Sequence, residues 1–272
     1  MDFVVTLEKC LKEPGVTEVK IPDYVTKIFR RAIPDEITSV VIPKSVTEIE
    51  SDAFELAKEL LSITVDPDNP VYCDIDGVLY SKDKTILVCY PRGRQDTELV
   101  IPDYVTEIGN KAFYKCESLT SVILPGHVTK IGAAAFGSSG LTSIDFPNNL
   151  KSIGVHAFAN CNGLTSLVIP EGVTDIQPNT FGSCKNLKSV RIPRSMTYIW
   201  YSAFRDCFSL TMIEIPDGVT EIDESLFYDC KRKRLTILTT PGSYADSYAQ
   251  KKGARVSYMP LENHRSGTHD KK

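Results

Sequence analysis

One pattern limits what this chain can become: a pair made of an apolar residue and a proline returns at a nearly constant interval. It stands at Ile21-Pro22, Ile42-Pro43, Ile101-Pro102, Leu124-Pro125, Phe146-Pro147, Ile169-Pro170, Ile192-Pro193 and Ile215-Pro216. Successive prolines are 21, 59, 23, 22, 23, 23 and 23 residues apart. The one long interval equals a 23-residue unit plus 36 residues. Between prolines the copies share P-x-x-V-T-x-I-G-x-x-A-F-x-x-C-x-x-L-T-S-V-x-I. The copy from Pro170 shows it in Val173-Thr174-Asp175-Ile176, Phe181, Cys184, Leu187 and Ile192. The first copy is degenerate but keeps step. Its Ile28-Phe29-Arg30-Arg31-Ala32-Ile33 stands where Ile131-Gly132-Ala133-Ala134-Ala135-Phe136 stands later.

A unit of this length cannot bury its own apolar face, but stacked copies lay like residues over like and build one core. The segment Leu-x-x-Val-x-Ile reads as a short strand. Proline ends it, having no N–H for a further ladder bond. Val-Thr-x-Ile reads as a second extended piece. The spacing of three in Ala-Phe-x-x-Cys predicts one helical or 3₁₀ turn. The fold class is an α/β repeat solenoid, its strands parallel, in register and about 4.8 Å apart.

These copies resemble the BspA-type leucine-rich repeats of bacterial, and some protist, surface proteins, over roughly residues 14 to 238. The resemblance implies a leucine-rich repeat solenoid that is not an enzyme but a protein-recognition module. It further implies a bacterial cell-surface or secreted adhesion protein, extracellular, with a host or neighbouring-cell surface protein as partner.

The chain divides accordingly. Residues 1–13, with Phe3, Val4, Leu7 and Leu11 near helical spacing, are expected to cap the N-terminus, since an end repeat exposes core. The solenoid covers 14–240 and the insert 66–99. A C-terminal cap covers 241–258, with Ser243 as helix N-cap and Gly253 as stop. Residues 259–272 are a polar tail expected to be disordered. Met1-Asp2-Phe3-Val4-Val5-Thr6-Leu7-Glu8 lacks the basic and then apolar regions of a secretory signal. A cytoplasmic scaffold is therefore the alternative to the extracellular reading.

Within the insert, Val71-Tyr72-Cys73-Asp74-Ile75 and Val78-Leu79-Tyr80 flank Asp76-Gly77, a hairpin signal. With Thr85-Ile86-Leu87-Val88-Cys89-Tyr90 they predict a β-meander. The acidic group Asp66, Asp68, Asn69, Asp74 and Asp76 invites a calcium reading. A calcium loop beginning at Asp66 would need Gly and Glu where Val71 and Gly77 stand, so turn chemistry reads better and no metal is expected.

Five of the eight cysteines (Cys116, Cys161, Cys184, Cys207 and Cys230) share one repeat position, which other copies fill with Ala57 and Ser139. That tolerance predicts a small, buried slot rather than zinc, whose ligand pairs lie two to four residues apart. Cys73 and Cys89, in the insert's outer strands, are either free or joined by a disulfide. The chain carries no G-x-x-x-x-G-K-[ST], G-x-G-x-x-G, H-E-x-x-H or G-x-S-x-G motif, and no catalytic residue or cofactor is expected.

Binding candidates lie where the repeat leaves side chains free. Alternate residues of a strand face out, giving Ile123, Asp145, Val168, Arg191 and Glu214. Two residues before each is Ser121, Ser143, Ser166, Ser189 or Met212. One copy departs most, with Trp200, the only tryptophan, where others have Gly109, Gly132 and Gly154. Tyr198, Trp200, Tyr201, Phe208 and Met212 form a candidate interaction patch, for protein or for glycan. The alternative is that these rings pack on one another or on Tyr228.

Residues 231–272 hold ten Lys+Arg against three Asp+Glu, leaving the rest of the chain at −11 beneath an overall −4. Lys231-Arg232-Lys233-Arg234 is a candidate basic patch or a solvated loop. The acidic remainder argues against nucleic acid as partner. No apolar run is long enough to span a membrane.

Overall fold

The computed structural model describes residues 6–7 and 15–259. The chain coils into a parallel β-solenoid of about ten turns. Two strand columns run along it. The longer strands include Glu18–Lys20, Ser39–Ile42, Ser62–Val65, Glu98–Val100, Ser121–Ile123, Ser166–Val168, Ser189–Arg191, Met212–Glu214 and Thr236–Thr239. The shorter are the Val-Thr-x-Ile pieces, such as Glu107–Ile108, Lys130–Ile131, Asp175–Ile176, Tyr198–Ile199 and Glu221–Ile222. Pairing is parallel and follows the repeat: Ser166, Ser189 and Met212 are partners in one column, Asp175, Tyr198 and Glu221 in the other.

The threonines add to the ladder. Thr129, Thr197 and Thr220 each donate both backbone N–H and hydroxyl to the carbonyl of the threonine one repeat earlier.

The Ala-Phe-x-x-Cys segments correct the helical expectation. They run as consecutive β-turns, closed by bonds such as Ala112 N–H to Gly109 O and Cys116 N–H to Phe113 O. In the five repeats from Lys111 to Asp206, the residues before the Ala position (Thr180 in one copy) and before the Cys position (Ser139 in one copy) hold φ between 51 and 61°. That left-handed conformation breaks any helix. It is kept because the N–H groups then point to the next repeat. Lys111, Phe113 and Lys115 donate to the carbonyls of Ala133, Ala135 and Gly137. Among the described residues the helices are one 3₁₀ turn, Arg232–Arg234, and one α-helix, Tyr244–Lys252.

The core is a stack of equivalents. Phe113, Phe136, Phe158, Phe181, Phe204 and Phe227 lie ring over ring, with centroids 4.9 to 6.2 Å apart. Tyr90 begins the column and Tyr248 ends it. Tyr248 comes from the C-terminal helix. Ser243 caps that helix by accepting from Asp246 N–H, and Gly253, at φ 69°, closes it. Strand Arg255–Tyr258 then pairs with Thr236–Thr239.

Two irregularities matter. The turn from Gly137 to Pro147 is one residue short at its corner, and Ser143–Asp145 joins no ladder, contrary to expectation. Shortening draws the corner inward: a Cβ on Gly140 would sit 2.1 Å from the Glu117 carbonyl oxygen. The meander is the second. Its strands Tyr72–Ile75, Val78–Ser81 and Ile86–Cys89 pair antiparallel, turning on Asp76 and Gly77, both at positive φ. The third strand also pairs in parallel with Glu107–Ile108, returning the chain to the solenoid.

Asn69 is buried with all four amide bonds made, to Pro43 O, Val46 O, Val71 N and Tyr72 N. Asp66 and Asp74 accept from the backbone N–H groups of Asp68 and Val65. These contacts explain the insert's acidic cluster as turn structure. The N-terminal cap and the tail from residue 260 lie outside the described residues, except that Thr6–Leu7 pairs as a strand with Lys27–Ile28.

Candidate functional site

The five repeat-position cysteines are buried, and Cys116, Cys161, Cys184 and Cys207 are free thiols. Their thiols point at main-chain carbonyls of the preceding repeat. Cys161, Cys184, Cys207 and Cys230 donate to Phe136, Phe158, Phe181 and Phe204 oxygens over 3.0, 3.2, 3.2 and 2.9 Å. The slot is thus small and also wants a weak donor. Burial pushes the Cys161 thiol up to about 11 and drives Cys116, Cys184 and Cys207 upward as well. A thiol so held is a poor nucleophile.

The possible Cys73–Cys89 disulfide is corrected: both are free. The middle strand of the meander separates them. Cys73 sits opposite Tyr80 and packs toward the C-terminal core, while Cys89 sits opposite Leu79 and packs toward the N-terminal one.

Along the longer strands, Val122, Leu167, Val190 and Ile213 point inward and are buried. Their neighbours point out. Ile123 and Val168 are 59% and 62% exposed, and so is Val100 at 66%. Val100 pairs with Ile123 in register. Asp145 is also exposed, although its segment is not a strand. Arg191 and half-buried Glu214 approach to 3.5 Å. Ser143, Ser166 and Met212 are exposed, Ser121 and Ser189 half-buried. The row read from the sequence therefore missed Val100, whose position could have been found by extending the same register one copy back.

The aromatic candidates divide between faces. Tyr198 and Trp200 lie on the shorter strands' outer face and touch, with ring centroids 4.7 Å apart at 63°. Tyr201 follows at the start of the turns and is exposed. Phe208, at the far corner, and Met212, on the longer column, are exposed but make no ring contact with Trp200 among the described residues. Tyr228 is covered by Arg205, at 5.8 Å, rather than by Trp200.

The glycine column explains why the indole stands out. At Gly132 and Gly154 a Cβ would fall within 2.7 Å of backbone nitrogen in the preceding turn. From Gln177 onward the position carries side chains, and the shorter ladder breaks between Ile153 and Asp175. Lys231, Lys233 and Arg234 are exposed on the loop before the last long strand.

Among the described residues, no group of three or more His, Cys, Asp or Glu is arranged to hold a metal ion. No helix there is long and apolar enough to cross a membrane.

Known proteins fit this geometry. A leucine-rich repeat protein from Eubacterium ventriosum is similar over 78% of this chain and 64% of its own, with 26% identity and a TM-score of 0.69. A leucine-rich cell surface protein from Faecalibacterium prausnitzii is similar over 86% of this chain and 62% of its own, with 30% identity and a TM-score of 0.58. The chain thus spans less than two thirds of either. The pneumococcal vaccine antigen PcpA shares the fold, with 22% identity, 90% of this chain and 68% of its own covered, and a TM-score of 0.74. No curated protein matches in sequence. The model of the BspA type leucine rich repeat region matches residues 7–72 and 106–234 in six copies. With its turns, columns and register matching that repeat, the chain belongs to the BspA-type leucine-rich repeat family.

Proposed function

We propose that this is a non-catalytic recognition module of a bacterial cell-surface or secreted protein, which adheres to a protein on host or neighbouring cells. The observation that carries the reading is the row Val100, Ile123 and Val168, held out of two successive sheets by strands whose inward residues Val122 and Leu167 are buried. Apolar side chains on a rigid, open face lose contact with water when a partner covers them. Arg191 and Glu214 then form the charged end of the face, and Asp145 interrupts it. The cell-surface protein among its structural relatives supports the location.

The test is binding of fluorescently labelled chain to human epithelial cells and to neighbouring bacteria. Saturable binding is expected, lost when the cells are treated with protease and reduced at least tenfold in the Ile123→Asp/Val168→Asp variant. Equal binding by the variant overturns the role of the row. Loss of binding after glycosidase but not protease assigns the surface to carbohydrate instead. A second reading, an intracellular scaffold, has the free thiol ladder on its side, since disulfides are rare in reducing compartments. Fractionation of the source cells separates the two.

A further inference from the structure

Tyr198, Trp200 and Glu221 stand together on a face that the aliphatic row does not reach. Tyr198 opens the short strand Tyr198–Ile199 and Trp200 follows that strand directly, so the two flank buried Ile199 and their rings meet outside it. Their edge-to-face contact forms an open corner. Glu221 is the register partner of Tyr198 on the next strand, and half-buried Asp223 follows two residues later, beyond buried Ile222. The corner is therefore two rings backed by two carboxylates, at the spacing of neighbouring strands. The C-terminal helix packs against Glu221–Ile222 and brings Tyr244 to the group. Burial and then Glu221, Asp223 and Tyr244, acting in that order, raise the Tyr198 phenol above its ordinary value.

The corner remains open. Trp200 is 38% exposed, and Tyr244 and Glu221 are exposed. Asp223 accepts from the Ser225 N–H and hydroxyl. Among the described residues no cation bonds Glu221. The nearest lysines of the helix, Lys251 and Lys252, are held by Glu224 instead.

We propose that this corner binds a cationic side chain of the protein partner, arginine above all. A guanidinium stacks on aromatic faces and pairs with a carboxylate in the same plane, so it uses both halves of the site at once. The −11 charge carried by residues 1–230 draws such a partner in. Sugar rings also stack on tryptophan and their hydroxyls can donate to carboxylates, but a neutral ring leaves the negative charge of Glu221 unpaired, so the charge favours the cation. The proposal rests on the chain's being a recognition module and is independent of the aliphatic row.

The only tryptophan of the chain lies in the corner, so its fluorescence reports on this site alone. The probes are the blocked peptides Gly-Arg-Gly and Gly-citrulline-Gly, the second a neutral copy of the first, together with glucose and galactose. The arginine peptide is expected to shift the emission saturably, with a dissociation constant on the order of 1 mM. The Glu221→Gln variant, changed at an exposed position, is expected to bind about fivefold more weakly. Glu98→Gln, on the longer column, should bind as the unaltered chain does. No saturable shift, an equal shift with citrulline or either sugar, or undiminished binding by Glu221→Gln overturns the proposal. Loss of cell binding in the Ile123→Asp/Val168→Asp variant with the arginine response intact supports two separate surfaces.

Discussion

The thiol of Cys184 donates to the main-chain carbonyl of Phe158, 26 residues earlier, across 3.2 Å. The same carbonyl accepts the N–H of Cys161, so one oxygen ties its own turn to the next repeat. Replacing Cys184 by Ser keeps a donor of similar size and is expected to cost less than 1 kcal/mol. Ala removes the donor and leaves a small void, for about 1–2 kcal/mol, and Leu overfills the slot, for about 1–3 kcal/mol. Urea denaturation of the three variants checks the order. Equal loss for Ser and Ala would show that the hydrogen bond carries no stability.

Alkali is expected to unfold the protein through the same ladder. Burial raises these thiols above their ordinary 9.0, Cys161 to about 11. A raised folded value means that the folded chain holds its protons longer than the unfolded one. Stability is then whole below about pH 9 and falls as pH rises toward the folded values. Each thiol contributes a slope of up to about 1.4 kcal/mol per pH unit. Circular dichroism against pH should show a steep transition, moved upward when Cys161 and Cys184 are both Ser.

Lys111 reaches across the meander to Glu55, at 2.8 Å, and Arg31 meets the same carboxylate from the other side, at 3.2 Å. Burial works to raise Glu55, but Lys111 and then Arg31 outweigh it and hold the carboxyl below its ordinary 4.5. Its stabilising effect is therefore present above about pH 4.5 and lost as pH falls through the folded value. A double-mutant cycle of Glu55→Gln and Lys111→Met should give a coupling of about 1 kcal/mol at pH 7, the partial exposure of Lys111 keeping it modest. The coupling should weaken as pH falls below 4.5 and the carboxyl takes up its proton.

The hairpin tip is a tight fit. Gly77 holds φ 76°, and a Cβ there would lie 2.9 Å from Ser62 Cβ. Gly77→Ala is expected to cost about 2 kcal/mol from strain and contact together. Thermal melting measures it, and a loss no larger than that of an exposed surface change would mean the tip can move aside.

The repeated column was legible because stacking makes each copy vouch for the others. Phe181 and Cys184 could be placed in the core from Phe204 and Cys207 alone. The turn segments were misread because spacing of three cannot distinguish a helix from β-turns with left-handed corners. That choice is made by bonds such as Lys111 N–H to Ala133 O, which belong to no single repeat. Asn69 read correctly as a turn residue, but its full burial was not legible, as turn residues read as exposed until their partners are known. At the surface the sequence showed which residues are free but not which share a face. Trp200 and Phe208 are eight positions apart and do not meet, whereas Tyr198 and Glu221, 23 apart, are neighbours.

The middle strand of the meander, Val78–Ser81, faces two ways. Val78 and Tyr80 join the packing that runs on to Ala249, and Leu79 joins the packing that begins at Ile21. Repeat arrays melt as chains of linked neighbours, with cooperativity only as strong as the weakest junction. Here one junction is a hairpin strand rather than a like repeat. The protein should therefore behave as two folding units in series, with the shorter N-terminal one exchanging its amide protons first while the Phe113–Phe227 stack stays closed.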